Sequence, residues 1–366
     1  MEPEIRHTPV RYYEIDLLRF IAALSVVLFH FTCRGHADHL SPVDYPALSE
    51  VFKYGYLGVE LFFIISGYVI LLSAQGKTLS QFIISRITRL YPAYWVACTF
   101  TFLVQRLGKP AVPSLSWPTE LEAPLWVYAV NMTMFQNFLR VPDLDGSYWT
   151  LKVELVFYLV IALLIVCKGF RYLVPLLAAW LAYCLFVGPI AYAYGRPLSF
   201  LLFPRFAPFF IAGMIFYLLQ TSQAARWKLY SLLLITYVAA LRSTQVVVAE
   251  RIIMYHQPFS LTVAWVVVTS FFGVFILVIN RQLRVGQAKW LAWAGALTYP
   301  IYLLHQNTGY VAFQRLGSFV PKYVLLPSLL LATFGLAYLL HVYIERRYSK
   351  PLGELLRKWF VRIGFN

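Results

Sequence analysis

Long apolar runs recur along this chain, each about the length of a membrane helix and each bounded by short polar or charged stretches. Ten runs stand out, at about 15–33, 55–75, 89–107, 147–168, 171–194, 200–220, 228–248, 261–280, 290–316 and 324–345. A bilayer core takes about 20 mostly apolar residues per helix, and the ninth run is open to a break at Pro300. The runs are too long and too uniformly apolar for barrel strands, which alternate over about ten residues. The pattern predicts an all-α, polytopic helical membrane protein with about ten transmembrane helices and no separate soluble domain. Residues 1–14 form an N-terminal segment, 15–346 the membrane domain and 347–366 a basic tail. The longest loop, 108–146, holds an apolar patch at 124–139 that is short for a crossing and reads as interfacial or re-entrant.

Composition sharpens this reading. Of the 366 residues, 60% are hydrophobic and 13% charged, with a mean hydropathy of +0.66. Soluble domains carry about 25% charged residues, so disorder, a collagen-like chain and a disulfide scaffold are excluded. A net charge of +15 raises nucleic acid as a partner. In a polytopic chain, however, Lys and Arg collect in cytoplasmic loops, so lipids are expected as partners and nucleic acid is not. With an even number of spans, 19 of the 31 Lys and Arg fall on the side of both termini and 11 on the other, Lys152 lying inside a span. That bias predicts cytoplasmic termini for a multi-pass protein of the plasma (inner) membrane. No cleavable signal peptide is expected, and Cys33, Cys98, Cys167 and Cys184 have no metal or CxxC spacing, which leaves packing roles.

Ionisable residues inside lipid-spanning runs are costly and mark function or structural pairs. The first run carries Asp16, Arg19 and His30. Arg19 and His30 are eleven residues apart, about three turns and about 16 Å along one helix face, and Asp16 sits one turn before Arg19. The second run has Glu60 and a Ser66-Gly67 step, readable either as a packing notch or as a functional break. Arg86 and Arg89 lie one turn apart at the entrance of the third, suited to lipid phosphate or to a soluble diphosphate. Asp145, Tyr148, Trp149, Lys152 and Glu154 open the fourth. Later spans add Arg205, then Tyr302 and His305, while His341 and Glu345 read as a structural pair.

Five of these fragments, in order, make the chain resemble the membrane acyltransferase-3 family of bacterial enzymes that O-acylate sugars and polysaccharides. The family's Arg-x10-His matches Arg19 to His30, its GVxLFFxISGY pattern Gly58 to Tyr68, and its Arg-x-x-Arg Arg86 to Arg89. Its YW(S/T)LxxE pattern matches Tyr148 to Glu154, and its SYxIYLxH pattern matches Thr298 to His305 with Thr for Ser. No counterpart of the SGNH-type hydrolase domain of some members is expected.

The resemblance implies transfer of an acyl group, most often acetyl, from coenzyme A to a glycan or glycolipid hydroxyl. Acetyl-CoA is then a donor substrate, and no permanently bound cofactor or metal is expected. A hydroxyl needs a general base as it attacks, and histidine is the usual choice. His30 is the expected base, oriented by Glu60 or Glu154. Arg86 and Arg89 would hold donor phosphates, with Arg19 deeper at the pyrophosphate or pantetheine end. His305 would assist or brace the bundle. The rival readings are a transporter or flippase lined by the same residues and a non-catalytic assembly subunit. Acceptor identity, acyl length and oligomeric state stay open.

Overall fold

The computed structural model describes residues 12–110, 117–187, 197–222, 224–286 and 288–364. The expected N-terminal segment up to residue 11, the end of the expected 171–194 span, part of the 108–146 loop, and Arg6, Arg11 and Arg196 lie outside them. The described residues are helical, without a strand among them.

The first helix, α1 (Tyr13–Phe29), runs on through a π-helical turn, His30–Arg34, to Ala37. The second, α2 (Gly58–Ala74), follows a short helix and a 3₁₀ turn. Then come α3 (Leu79–Gly108), the short α4 (Leu125–Asn131), α5 (Trp149–Val166) and α6 (Leu173–Ala182). After a short helix, Pro197–Leu202, come α7 (Ala207–Thr221), α8 (Arg226–Tyr255), α9 (Leu261–Ile279), α10 (Lys289–Leu304), α11 (Gln306–Leu316), α12 (Lys322–Leu340) and α13 (Arg346–Arg362). α12 reaches α13 through a π-helical turn at His341–Glu345.

Seven helices among the described residues are long and apolar enough to cross a membrane: Tyr13–Ala37, Pro46–Ala74, Trp149–Val166, Gly169–Phe186, Arg226–Tyr255, Leu261–Ile279 and Lys322–Arg362. The other three expected spans are helical for different reasons. α3 has 30 residues but carries Arg86, Arg89 and Arg106. α7 has only 15, about 22 Å at 1.5 Å per residue, and its residues from Ala207 to Leu219 are all buried. A helix apolar on every side is one enclosed by protein, and α7 packs chiefly on α2 and α8. The 290–316 run breaks at His305, between α10 and α11, whereas Pro300 lies within α10.

The Ser66-Gly67 step divides its two expected roles. A Cβ on Gly67 would stand 2.1 Å from the Phe210 carbonyl oxygen, and one on Gly213 2.0 Å from that of Ile64. These glycines let α2 and α7 touch backbone to backbone, and Phe63 stacks on Phe210 at 4.7 Å beside them. The basic tail is also ordered, as α13, which packs along α3. Cys33, Cys98 and Cys184 are buried as expected for packing, but Cys167 is exposed.

Candidate active site

α1, α2, α3, α5 and α10 enclose a cavity of about 370 Å³. It gathers Arg19, Ser66, Arg86, Arg89, Glu154 and Tyr302, six residues scattered along the sequence. Arg86 sits over the rings of Phe82 and Tyr158, 5.6 Å from each centroid. Tyr158 in turn donates to Glu154 Oε1 at 2.6 Å. Arg89 is more exposed and is shared with the structural pair: its Nη1 lies 3.3 Å from Glu345 Oε1, while His341 Nδ1 meets Glu345 Oε2 at 2.5 Å. Asp16 is buried against Gly295 of α10. The two arginines of the Arg-x-x-Arg motif therefore differ, because a carboxylate already neutralises part of Arg89.

Three turns along α1, His30 lines a second chamber of about 30 Å³ with Glu60, Arg34, Arg205, Arg251 and Trp149. A space of that size holds about one water molecule. Val59 and Tyr302 line both chamber and cavity, so the two adjoin across these side chains. His30 Nδ1 lies 2.9 Å from Tyr310 Oη. Neither carboxylate expected to orient it is its partner: Glu154 lines the larger cavity, and buried Glu60 Oε2 has no hydrogen-bond partner among the described residues. Glu60 shares the chamber with three arginines instead. Arg34 pairs with Asp38 at 2.8 Å, Arg205 with Glu250, and Arg251 donates to Tyr255 Oη at 3.2 Å.

The local backbone explains how His30 meets Tyr310. In the π-helical turn the Gly35 N–H bonds the His30 carbonyl five residues back, a widening common at functional positions. A Cβ on Gly35 would lie 2.7 Å from Tyr310 Cε1, so only glycine admits the Tyr310 ring there. His305, in the break after α10, donates from Nδ1 to the Tyr302 carbonyl at 2.9 Å. A ring nitrogen facing a carbonyl must carry the proton, which leaves Nε2 as an acceptor; it has no partner among the described residues. The His30 and His305 rings stand edge to face.

The segment before α5 braces this arrangement. Asp145 accepts from Ser147 N at 2.9 Å, Ser147 Oγ at 2.7 Å and Asn307 N at 2.9 Å. Burial pushes its carboxyl up to about 6, with those hydrogen bonds opposing the rise. Tyr302 Oη donates to the Ser147 carbonyl at 2.8 Å and lies 2.7 Å from Thr150 Oγ1. Tyr148 is buried against Tyr94, and the half-buried Trp149 packs on Phe206. Together they clamp α5 onto the α10–α11 break, which holds Tyr302 between the two spaces.

Sequence reasoning missed Tyr310, Arg34 and Arg251 as neighbours of His30. Arg34 and Arg251 looked like loop charges, since both flank apolar runs. Tyr310 sits in a run whose tyrosines resemble core residues. The one available signal was Gly35, a glycine one turn beyond an intramembrane histidine.

The sequence profile described as "Acyltransferase domain" matches residues 12–342. A protein of Acidianus two-tailed virus that carries the name of an acetyltransferase is 26% identical over 82% of this chain and 86% of its own length. An acyltransferase of Streptomyces mycarofaciens is 29% identical over 41% of this chain and 38% of its own. The peptidoglycan O-acetyltransferase of Listeria monocytogenes is 27% identical over 40% of this chain and 23% of its own. No solved structure matches the chain. With a match over nearly its whole length, and with the family's motif residues gathered around two adjoining spaces, this chain belongs to the acyltransferase-3 family and is a membrane acyltransferase.

Proposed function

We propose that this protein moves an acetyl group from acetyl-CoA to a sugar hydroxyl of an exported or cell-surface glycan, with His30 as general base. The observation that carries the reading is the junction at Tyr302 and Val59, where an arginine-lined cavity meets the His30 chamber. Arg86 and Arg19 suit the donor's pyrophosphate, since guanidinium forks bond phosphate oxygens. The pantetheine arm would run along α1 toward His30, about 16 Å from Arg19.

In the transfer step the acceptor hydroxyl oxygen bonds to the thioester carbonyl carbon as His30 takes the hydroxyl proton. The carbon–sulfur bond then breaks, and the proton passes to the departing thiolate. Tyr310 fixes the ring through Nδ1, and the cations around the chamber stabilise negative charge developing on the carbonyl oxygen. The positive-inside bias supports cytoplasmic termini in the plasma membrane, hence a donor on the cytoplasmic side and an acceptor on the other. Both O-acetyltransferase and acyltransferase relatives support the reaction class.

The test uses radiolabelled acetyl-CoA with protein in inside-out vesicles loaded with glycan extract. Label on lumenal glycan that persists in detergent and disappears in His30→Ala supports the reading. Label movement that requires sealed vesicles and leaves no acetylated product would make the protein a transporter. Labelling only of glycan on the donor's own side would remove the cross-membrane arrangement.

A further inference from the structure

At the end of the bundle that holds Arg86, a wider cavity of about 900 Å³ opens between the first turns of α3 and helix α13. Ser85 lines both this cavity and the one containing Arg86 and Arg19, so the two are neighbours across a single side chain. The wider cavity is bordered by Lys77, Ser80, Lys350, Glu354 and Arg357. Lys350, Glu354 and Arg357 stand four and three residues apart, the spacing that shares a helix face. α13 crosses α3 at Gly353, over Thr88 and Ile84, which turns that face toward the start of α3.

Three features make this a place for anions. Among the described residues, Lys77, Lys350 and Arg357 have no carboxylate within ion-pair distance. The N-terminus of a 30-residue helix, the positive end of its dipole, borders the same space. The Lys77 ammonium is pushed below its usual value by partial burial and by the charge of Arg86, so the cation clusters of the two cavities act on one another.

We propose that this cavity holds the adenosine 3′-phosphate end of the acyl-CoA donor, with Lys350 and Arg357 gripping the 3′-phosphate. The proposal rests on the acyl-CoA reading above. Coenzyme A carries negative charge at two separated places, the pyrophosphate next to pantetheine and the monophosphate on ribose. The protein presents two separated cation clusters joined at Ser85. A ligand with a single charged headgroup needs only one of them. Glu354, the one carboxylate on that α13 face, suits a ribose hydroxyl. On this arrangement α13 is a specificity element that distinguishes coenzyme A from thioesters lacking the 3′-phosphate. Its exposed Leu355 and Trp359, on the opposite face, belong to the apolar side of an interfacial helix.

The test measures equilibrium binding of coenzyme A and of 3′-dephospho-coenzyme A to the full-length protein in neutral detergent. The wild type should bind coenzyme A about tenfold tighter, as charge-assisted phosphate bonds require. The Lys350→Ala/Arg357→Ala variant should lose about that factor for coenzyme A, keep its affinity for the dephospho form, and unfold at the wild-type temperature. Lys350→Gln and Arg357→Gln singly should each give part of the loss, and serve if the double variant does not fold. Equal wild-type affinities for the two ligands, or equal losses for both in the variants, would overturn the proposal. So would variants that change only association with phosphatidylglycerol vesicles, which would make the cluster a lipid anchor. If neither ligand binds the wild type, the acyl-CoA reading itself fails.

Discussion

The imidazole of His30 stands edge to face with that of His305, ring centroids 5.0 Å apart, and each ring is held through its own Nδ1. Tyr310 holds the first at 2.9 Å and the Tyr302 carbonyl the second at 2.9 Å. The pair joins α1 to the α10–α11 break. A general base fixed through Nδ1 keeps Nε2 for the substrate, and that distinction is directly testable.

If His30 is the proposed base, removing it should cost about 10² to 10⁴ in turnover, the usual contribution of a positioned acid–base group. His30→Ala should show this loss with normal membrane insertion. Tyr310→Phe removes only a positioning hydrogen bond, worth about 0.5–1.5 kcal/mol. Turnover should then fall about two- to tenfold with KM for acetyl-CoA unchanged. A raised KM in Tyr310→Phe would show that the tyrosine acts on the donor instead.

The two arginines of the third helix should respond unequally. Arg86 lies over aromatic rings with no carboxylate partner among the described residues, whereas Arg89 is paired with Glu345. Charge-assisted bonds are worth about 1.5–3 kcal/mol. Arg86→Ala should therefore raise KM for acetyl-CoA about ten- to a hundredfold, and Arg89→Ala distinctly less. Steady-state kinetics at saturating acceptor decide it, and equal effects would disprove the inequality.

Gly35→Ala tests the close approach behind His30. The glycine has helical backbone angles, φ −57° and ψ −41°, so alanine improves local helix propensity. Its Cβ, however, meets Tyr310 at 2.7 Å. Activity should fall while the protein still folds, measured as turnover beside thermal unfolding in detergent. Full activity would mean that Tyr310 shifts without consequence.

Asp145 should leave a pH signature. Its folded carboxyl is raised above the ordinary value of 3.8 to about 6, so between those values the folded chain binds more protons than the unfolded one. Stability from this group is then complete below about pH 4 and declines as pH rises through about 6. In Asp145→Asn this slope should vanish. The variant should also be less stable at every pH, because an amide N–H would face the Asn307 N–H. Unfolding midpoints from pH 4 to 7.5 check both, and an unchanged slope would assign the titration elsewhere.

Much of this protein follows from the sequence alone, because a bilayer imposes simple rules. Twenty apolar residues in a row must be helical in lipid, so the all-α membrane architecture was legible without coordinates. So was the register of Arg19 and His30, which helical geometry places on one face. Short-range motifs also carried the family. What depended on tertiary structure were the partnerships across helices. α7 has only 15 residues, and those from Ala207 to Leu219 are enclosed by protein on every side. Glu154 went to Tyr158 and the arginine-lined cavity, and His30 to Tyr310, 280 residues away. Local spacing fixes which way a side chain leaves its own helix. Which side chain it meets depends on how helices pack, here through backbone contacts at Gly67 and Gly213 and the space left at Gly35.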